Sequence, residues 1–265
     1  MDTAEKAALL RSLHRTPPLL VLPNAWDVGS ARVLAALPGC RALATTSAGV
    51  ARSLGFEDGE QAPAAEMIRA AGRIAAAVDV PVTGDLERGY GDPVGTARAA
   101  WDAGLSGMNF EDSTAGAMVA ADEQADAICD LRAAVPELVL NARIDVFLRR
   151  AGDTDEAVER GNAYLAAGAD CVYPIFCPPD TIAELVGRID GPINVAATPG
   201  TPPPPELERL GVARFDLRRR PRLGRVRRGR ADRRRGAPVV RAQSGRSAGL
   251  RGFASRTRTP SGRER

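Results

Sequence analysis

Short runs of β-branched and apolar residues alternate along most of the chain with longer stretches in which apolar residues recur every three or four positions. The short runs are typical of buried strands, and the longer stretches are typical of amphipathic helices. Strands that are apolar throughout and separated by helices predict a parallel sheet covered on both faces. Eight strands are predicted, at 19–23, 42–47, 80–85, 107–112, 138–144, 171–175, 193–197 and 212–217.

Helical patterns fill the segments between these strands, among them 28–37, 63–78, 92–104, 121–135 and 153–168. Seven or eight strand-helix units favour a (β/α)8 TIM barrel over an open doubly wound sheet, because such barrels typically need about 250 residues. The turn after the first strand also lacks the GxGxxG spacing of a dinucleotide-binding fold. We therefore expect an α/β protein of the (β/α)8 class.

Charge divides the chain into two parts. Residues 216–265 contain 18 arginines and three acidic residues, a net charge of +15, whereas residues 1–215 carry 18 basic and 30 acidic residues, a net charge of −12. We predict a barrel domain at 1–215 and a basic low-complexity tail at 216–265. The tail has neither the strand period nor the helix period, so we expect it to be disordered. The tail follows the eighth predicted strand, at the position where a complete barrel has its last helix.

The abrupt change near residue 216 motivates the hypothesis that the tail is an out-of-frame translation of a G+C-rich gene. Resequencing that finds the same frame continuing cleanly would reject this idea. A segment of such charge binds polyanions at low salt by releasing counterions. Phe253 is its only aromatic residue for base stacking, so we expect nonspecific nucleic-acid contacts only. A catalytically impaired barrel with a polyanion-binding tail is the non-enzymatic alternative.

The sequence contains no apolar run near the roughly 20 residues that a membrane-spanning helix needs. Its N-terminus, MDTAEKAALLRSLHR, is typical of a charged amphipathic helix and not of a secretory signal. We therefore expect a cytoplasmic protein without a membrane partner. The four cysteines show no zinc-ligand spacing and are expected to be buried, reduced thiols. His14, the only histidine, is expected on the surface of the N-terminal helix.

Polar residues end most of the predicted strands, and in a parallel barrel those ends meet at one mouth, where the active site lies. Asp85 and Glu87 are two positions apart and would face the same side of the third strand. Paired carboxylates repel each other unless a cation lies between them, and oxygen ligands suit Mg²⁺, which keeps several of its waters. Glu111 and the loop residue Asp58 can complete an outer shell. The alternative is that these acids cap helices or pair with Arg88.

Arg143 ends an otherwise apolar strand, where a guanidinium is costly to bury without an anion. It would pair with a substrate carboxylate or a polarised oxygen, or alternatively with Asp145 or Glu111. A turn of small residues after the second strand has backbone N–H groups that could hold a carboxylate, although a plain structural turn is equally compatible. This turn consists of Ser47, Ala48 and Gly49.

Six stretches, in order and covering roughly residues 18–214, resemble the isocitrate lyase and phosphoenolpyruvate mutase superfamily. They are LPNAWDVGSA, TTSAGVARSLGFEDGE, GDLERGYGD, NFEDST, LNARIDVFLR and INVAATPGTP. The resemblance implies a Mg²⁺-dependent barrel that acts on small 2-oxo or 2-hydroxy carboxylic acids through a pyruvate enolate. It also implies a homo-oligomer, because family members commonly exchange their last helix between subunits. The altered C-terminus of this chain removes that element.

Matching positions carry the implied roles. The resemblance implies that Asp85 binds the metal directly and that Glu87, Asp58 and Glu111 hold its waters. Metal binding is accordingly predicted at Asp85, Glu87 and Glu111, and catalytic roles at Arg143, Glu111 and Asp58. The substrate's carboxylate and C2 oxygen would be held by Ser47, Ala48, Gly49, Arg143 and Asn194. Trp26, in the first of the six stretches, is predicted to contact the substrate as well.

The loop after the fourth strand departs from part of the superfamily. Isocitrate and methylisocitrate lyases carry a KKCGH motif there, whereas this chain has DSTAGAMVAADEQ, without Cys, His or Lys. An isocitrate-type lyase is therefore not expected. Decarboxylation or hydrolytic cleavage of an oxaloacetate-like acid remains, with a phosphoenolpyruvate or phosphonopyruvate C–P mutase or hydrolase as the alternative. Decarboxylation needs the fewest extra groups, since CO₂ leaves without a general acid and solvent can protonate the enolate.

Overall fold

The computed structural model describes residues 1–114 and 116–217 of the chain. Eight strands are present: β1 (Leu20–Ala25), β2 (Leu43–Thr45), β3 (Val82–Asp85), β4 (Gly107–Glu111), β5 (Val139–Ile144), β6 (Cys171–Pro174), β7 (Asn194–Ala196) and β8 (Arg214–Leu217). They pair in parallel in the order β6-β5-β4-β3-β2-β1-β8-β7. A parallel bridge between Val172 and Ile193 joins the two outer strands. The predicted (β/α)8 fold is confirmed.

Helices connect the strands and cover the outside of the sheet. They are α1 (Thr3–Leu13), α2 (Val28–Ala35), α3 (Ser47–Ser53), α4 (Ala64–Ala76), α5 (Pro93–Asp102), α6 (Ala121–Ala134), α7 (Val146–Arg149), α8 (Thr154–Ala166), α9 (Ile182–Arg188) and α10 (Pro204–Leu210). Aspartates begin several of them, because a carboxylate at the N-cap accepts an otherwise unpaired N–H. Asp92, for example, accepts from the Gly95 N–H at 2.9 Å, and Pro93 follows as the first helical residue.

Helix α1 packs across the N-terminal ends of the strands. Its Leu10 and Leu13 contact a buried cluster that includes Leu20 of β1 and Val139 of β5. His14, at the end of α1, is buried with them, and burial together with Arg214 lowers its pKa to about 4. The expected surface position of His14 is therefore wrong, because the face of α1 that carries it closes the lower end of the barrel.

Strand register brings the polar residues to one level of the barrel. Asp85 pairs in register with Asn109 of β4, and two residues further along Glu111 pairs with Arg143 of β5. Side chains in register on parallel strands lie on the same face of the sheet. Glu111 and Arg143 are consequently neighbours at the carboxyl ends of their strands, which is where the predicted site residues were expected to meet.

Several predictions about the ends and the surface of the chain have different outcomes. Strand β8 continues to Leu217, so it includes two residues beyond the boundary predicted at 215. The Arg-rich tail, its predicted disorder and the frameshift hypothesis concern residues outside the described part.

Cys129 is exposed and Cys40 half-buried, so the expectation of four buried thiols is wrong for these two. Among the described residues, no helix is both long and apolar enough to cross a membrane.

Candidate active site

Asp85 ends β3 at the mouth of the barrel and is held firmly in place. Its carboxylate accepts hydrogen bonds from the Ser47 backbone N–H at 3.0 Å and from the Asn109 side-chain amide at 3.2 Å. Its own N–H donates to Oγ1 of Thr45 at 2.8 Å. Only 4% of Asp85 is exposed. Contacts from β2, α3 and β4 therefore fix both the position and the orientation of this carboxylate.

Glu87 reaches the same region by a different route from the one predicted. Strand β3 ends at Asp85, and Glu87 lies in the following loop with φ of 52°. The argument that two residues spaced two apart on a strand share a face therefore does not apply here. The two carboxylates nevertheless influence each other. Burial raises the pKa of Glu87 to about 7, and the negative charges of Asp85 and Asp58 contribute to that shift.

Glu60 joins the loop that carries Asp58 to the loop that carries Glu87. Its carboxylate accepts hydrogen bonds from the backbone N–H groups of Arg88 at 3.1 Å and Tyr90 at 2.7 Å. Its own N–H donates to Oε2 of Glu87 at 2.8 Å, and the Tyr90 hydroxyl donates to Oε1 at 3.1 Å. Glu60, Glu87 and Tyr90 all have positive φ, a conformation that non-glycine residues adopt only when surrounding contacts hold it. Glu60 thus positions both acidic loops.

Replacing Glu60 by alanine is expected to weaken Mg²⁺ binding about tenfold, the usual scale for losing a group that orients a metal-site residue. Isothermal titration calorimetry with MgCl₂ measures this directly. Glu57→Ala is the matched control, because Glu57 lies exposed in the same loop and the substitution removes the same charge. Equal Mg²⁺ affinities for the two variants would show that Glu60 does not position the site.

Glu111, Arg143 and Asp145 form a buried ion-pair group at the ends of β4 and β5. Nε and Nη2 of Arg143 donate to the two oxygens of Asp145 at 2.6 and 3.0 Å, and Nη1 donates to Oε1 of Glu111. Although burial opposes it, Glu111 and Asp145 raise the pKa of Arg143. The sequence left open whether Arg143 pairs with a substrate or with Asp145 or Glu111, and the structure shows that it pairs with both acids. Its contact with a substrate stays a prediction.

The Glu111 carboxyl is perturbed both by its burial and by the charges around it. Burial raises its pKa well above the usual range; the Arg143 guanidinium opposes this effect, and the Asp85 carboxylate adds to it. The backbone oxygen of Glu111 is fixed as well, since it accepts from Nη1 of Arg88 at 3.1 Å and from the Gln124 amide at 3.1 Å. The Arg88 side chain therefore binds the backbone of this site residue, and it also forms an ion pair with Glu123 at 3.3 Å.

The loop after β4 is anchored by two further arginines. Nη1 of Arg160 donates to Asp112 at 3.3 Å and to the carbonyl of Val119 at 2.9 Å. Arg149 donates to Oγ of Ser113 at 3.1 Å and to the carbonyl of Thr114 at 2.6 Å. Both ends of the loop are consequently tied to helices α7 and α8.

The small-residue turn predicted after β2 forms the first turn of α3. The Ser47 N–H is taken by Asp85, while the first amide groups of a helix generally lack partners within it. A Cβ on Gly49 would lie 2.6 Å from Cγ2 of Thr46 and 2.9 Å from Cβ of Trp26, so the close packing requires glycine. Trp26 lies beside this turn with 38% of its surface exposed. Substrate binding by Ser47, Ala48, Gly49 and Trp26 stays a prediction.

Asn194 begins β7 on the far side of the barrel from β3. Its side chain is fully buried, and neither its oxygen nor its nitrogen has a hydrogen-bond partner within the described residues. A buried amide without partners is costly, so such a group usually has a water or a ligand beside it. This observation fits the substrate-binding role predicted for Asn194, and it does not place Asn194 against Asp85 or Glu87.

A divalent cation fits the donor chemistry of the acidic group, with one restriction. Asp85, Glu87 and Glu111 offer only oxygen, and burial together with their mutual repulsion raises the pKa of both glutamates. Within the described ranges, however, no three Asp, Glu, His or Cys side chains converge closely enough to hold one ion together. Mg²⁺ keeps several of its waters and needs few carboxylates directly, so its binding at these residues stays a prediction.

Sequence reasoning missed three groups that shape this site. Asn109 could have been found, because it lies two residues before Glu111 on the same strand and so shares its face. Glu60 gave no comparable signal, since its contacts join two loops that are far apart in the sequence. Tyr90 bonds to Glu87 within one loop, which has no strand or helix period to reveal the contact. Cys177, near the end of β6, is buried with its pKa raised to about 12 by that burial, as expected for an inert thiol.

Comparison with known proteins places the chain among enzymes of one superfamily. The profile of the phosphoenolpyruvate phosphomutase family matches residues 10–220. An uncharacterised protein of Mycobacterium tuberculosis (strain H37Rv) is 38% identical over 205 residues, which are 76% of this chain and 78% of that protein. The 2-methylisocitrate lyase of Bacillus subtilis is 30% identical over 182 residues, 64% of this chain and 60% of the lyase.

A solved structure supports the same relationship. A crystal structure from Burkholderia cenocepacia J2315, described provisionally as a phosphonomutase, superposes with a TM-score of 0.75 at 42% identity and covers 80% of this chain and 92% of that one. The profile match spans well over half of the sequence and the whole of the described barrel. The chain therefore belongs to the phosphoenolpyruvate mutase and isocitrate lyase superfamily of lyases and mutases.

Proposed function

We propose that the chain is a Mg²⁺-dependent lyase that cleaves a C–C bond in a small 2-oxo or 2-hydroxy carboxylic acid and releases pyruvate through its enolate. The observation that carries this proposal is that Asp85 and Glu111 end β3 and β4, that Glu87 follows β3, and that their charges act on one another. Glu111 is also paired with the buried guanidinium of Arg143 at the end of β5. A Mg²⁺ held by these acids, together with the guanidinium, would balance negative charge that develops on a substrate oxygen.

Cleavage of a bond beta to a carbonyl leaves an electron pair that moves onto the C2 oxygen. A bound Mg²⁺ would polarise that oxygen as a Lewis acid. Asp85, held by Ser47 and Asn109, would keep the cation in one position, and Glu87 and Glu111 would hold its waters. Because these side chains are already fixed before substrate arrives, little reorganisation accompanies the reaction.

Other residues would orient the acid. Three N–H groups of Arg143 are bound to Glu111 and Asp145 among the described residues. A guanidinium has five, so two could donate to a substrate oxygen. The amide of Asn194 can donate to the substrate from the opposite side, and the first turn of α3 can receive its carboxylate. The loop after β4 supplies no Cys, His or Lys as an acid or base, which distinguishes the proposed reaction from an isocitrate-type cleavage.

A panel of acids tests this proposal. Oxaloacetate, 2-methylisocitrate and phosphonopyruvate are each incubated with the protein in Mg²⁺ and then in EDTA, and pyruvate is followed with lactate dehydrogenase and NADH. Pyruvate release from a carboxylic acid that stops in EDTA is expected. Phosphorus NMR on the phosphonopyruvate sample reports the C–P alternative: conversion of that compound alone would replace the lyase by a mutase or hydrolase.

Magnesium affinity should increase with pH around the pKa of Glu87. In the metal-free protein this carboxyl has a pKa of about 7, above its ordinary 4.5, so protons compete with the cation below about pH 7. The stability that protonated Glu87 provides is lost as the pH rises through 7. We therefore expect the Mg²⁺ dissociation constant to fall about tenfold between about pH 6 and about pH 8, with a larger Mg²⁺-induced rise in Tm at the higher pH. Calorimetry and thermal melts that show no pH dependence would contradict this.

A further inference from the structure

We infer that Asn141 is a positioning residue of the acidic site, where it acts on the Asp85 carboxylate through Asn109. This inference rests on the proposed function, because Asp85 is the residue proposed to hold the cation. It is carried by two buried hydrogen bonds that cross three neighbouring strands. The Asn141 amide donates to Oδ1 of Asn109 at 2.7 Å, and the Asn109 amide donates to Oδ1 of Asp85 at 3.2 Å. We call these three side chains the amide relay.

Strand register brings the members of the amide relay together. Asp85 of β3 pairs with Asn109 of β4, and Asn109 pairs with Asn141 of β5. Neighbouring strands lie about 4.8 Å apart, and residues in register share a face, so short amide side chains can bond directly across them. Asn141 is fully buried and Asn109 is 4% exposed. Solvent therefore does not compete for these two hydrogen bonds.

The chemistry of the carboxylate fixes the orientation of both amides. An ionised carboxylate offers acceptors only, so Asn109 must turn its NH₂ group towards Asp85 and its oxygen towards Asn141. Asn141 must then donate in turn, because a reversed amide would place two oxygens against each other. Amides aligned in this way polarise one another, which strengthens the bond that reaches the carboxylate. The relay thus has a single stable direction.

Removal of the Asn141 amide would leave the Asn109 oxygen without a donor. Among the residues that the structure describes, Asn141 alone donates to that oxygen. A buried acceptor without a partner is costly, so the Asn109 amide would turn to find another donor. Asp85 would then lose the side-chain N–H that holds Oδ1 and would keep the Ser47 N–H at Oδ2. A carboxylate held on one side only is less well oriented for a cation.

A double-mutant cycle on Mg²⁺ affinity tests whether Asn141 acts through Asn109. The variants are Asn109→Leu, Asn141→Leu and the two combined, each titrated with MgCl₂ by calorimetry on the full chain. Each single variant should bind Mg²⁺ about tenfold more weakly, the usual scale for losing a group that orients a ligand. The combined variant should lose no more than Asn109→Leu alone, because both changes break one relay.

Thr83→Val is the matched control for this cycle. Thr83 lies two residues before Asp85 on the same face of β3 and is buried, and its hydroxyl has no hydrogen-bond partner within the described residues. Its replacement removes a polar group of the barrel interior without touching the relay, so Mg²⁺ affinity should not change. Losses that add up in the combined variant, or an unchanged affinity in Asn141→Leu, would overturn the inference.

NMR of the asparagine side chains gives a readout that needs neither metal nor activity. In the metal-free protein the Asn109 N–H that donates to the carboxylate should resonate downfield and exchange slowly with solvent, because it is buried and bound to a charge. Asn141→Leu should shift this signal and speed its exchange at least about tenfold, whereas Thr83→Val should not. Should Asn141→Leu fail to fold, Asn141→Ser replaces it, because its side chain is too short to reach Asn109.

The two readouts separate this inference from the proposed function. An Asn109 signal that the Asn141 variants leave unchanged would overturn the positioning role, whatever the protein binds. An unchanged protein that binds no Mg²⁺ would instead refute the proposed cation site, and the NMR comparison would still decide whether Asn141 orients Asn109 against Asp85.

Discussion

An Asp85→Asn protein should release pyruvate at least about a hundredfold to a thousandfold more slowly than the unchanged protein, the usual cost of losing one preorganised charged group from a reaction centre. Asparagine preserves the size and shape of the side chain but removes the negative charge that the Ser47 N–H and the Asn109 amide now orient. The lactate dehydrogenase assay at saturating Mg²⁺ gives this ratio directly.

Two further measurements exclude unfolding, or the loss of a negative charge in general, as the cause of the slower pyruvate release. Asp85→Asn should leave the Tm of the metal-free protein unchanged or raise it, because Asp85 raises the pKa of both Glu87 and Glu111 by repulsion. Asp102→Asn, on the exposed end of α5, makes the same chemical change away from the mouth and should keep full activity. An Asp85→Asn protein with normal turnover would remove this residue from the site.

Arg143→Met is expected to lower the free energy of unfolding by about 3–5 kcal/mol near neutral pH, because removal of one partner leaves buried charges without compensation. Glu111 and Asp145 would lose the guanidinium that now bonds to both of them. Urea denaturation measures the loss, which should be smaller at a pH low enough to protonate Glu111.

A double variant separates the structural role of Arg143 from its proposed catalytic one. Arg143→Met combined with Glu111→Gln removes one charge of each sign, so part of the lost stability should return while pyruvate release stays low. Recovery of both stability and activity would mean that the guanidinium serves only the fold. An Arg143→Met protein as stable as the unchanged chain would contradict the buried ion-pair account altogether.

The barrel could be predicted because its strands are buried on both faces and so appear as short apolar runs. All eight runs became strands, and the observed ends differ by only a few residues, as at β3, which begins at Val82 and not at residue 80. The positions of three candidate site residues followed from the same pattern. Asp85, Glu111 and Arg143 lie at the last or next-to-last position of their strands, and parallel strands end at one mouth.

The loops and the lower end of the barrel could not be predicted in the same way. Glu87 has positive φ, and its carboxylate is held by Glu60 from a neighbouring loop and by Tyr90 from the same loop. No local propensity of the sequence around Glu87 encodes the contact with Glu60. His14 shows the same limit, since the helical period of α1 reveals an apolar face but not that this face closes the barrel.

Metal reconstitution of the unchanged protein is the most direct test of a magnesium ion held at Asp85 that supports pyruvate release. The protein is treated with EDTA, dialysed and titrated with MgCl₂ by calorimetry, and the same samples are assayed with oxaloacetate. One Mg²⁺ per chain should bind, and activity above the rate with Mg²⁺ alone should return in proportion to occupancy, with neither effect in Asp85→Asn. Full turnover in the metal-free protein, or Mg²⁺ binding that Asp85→Asn leaves unchanged, would contradict it.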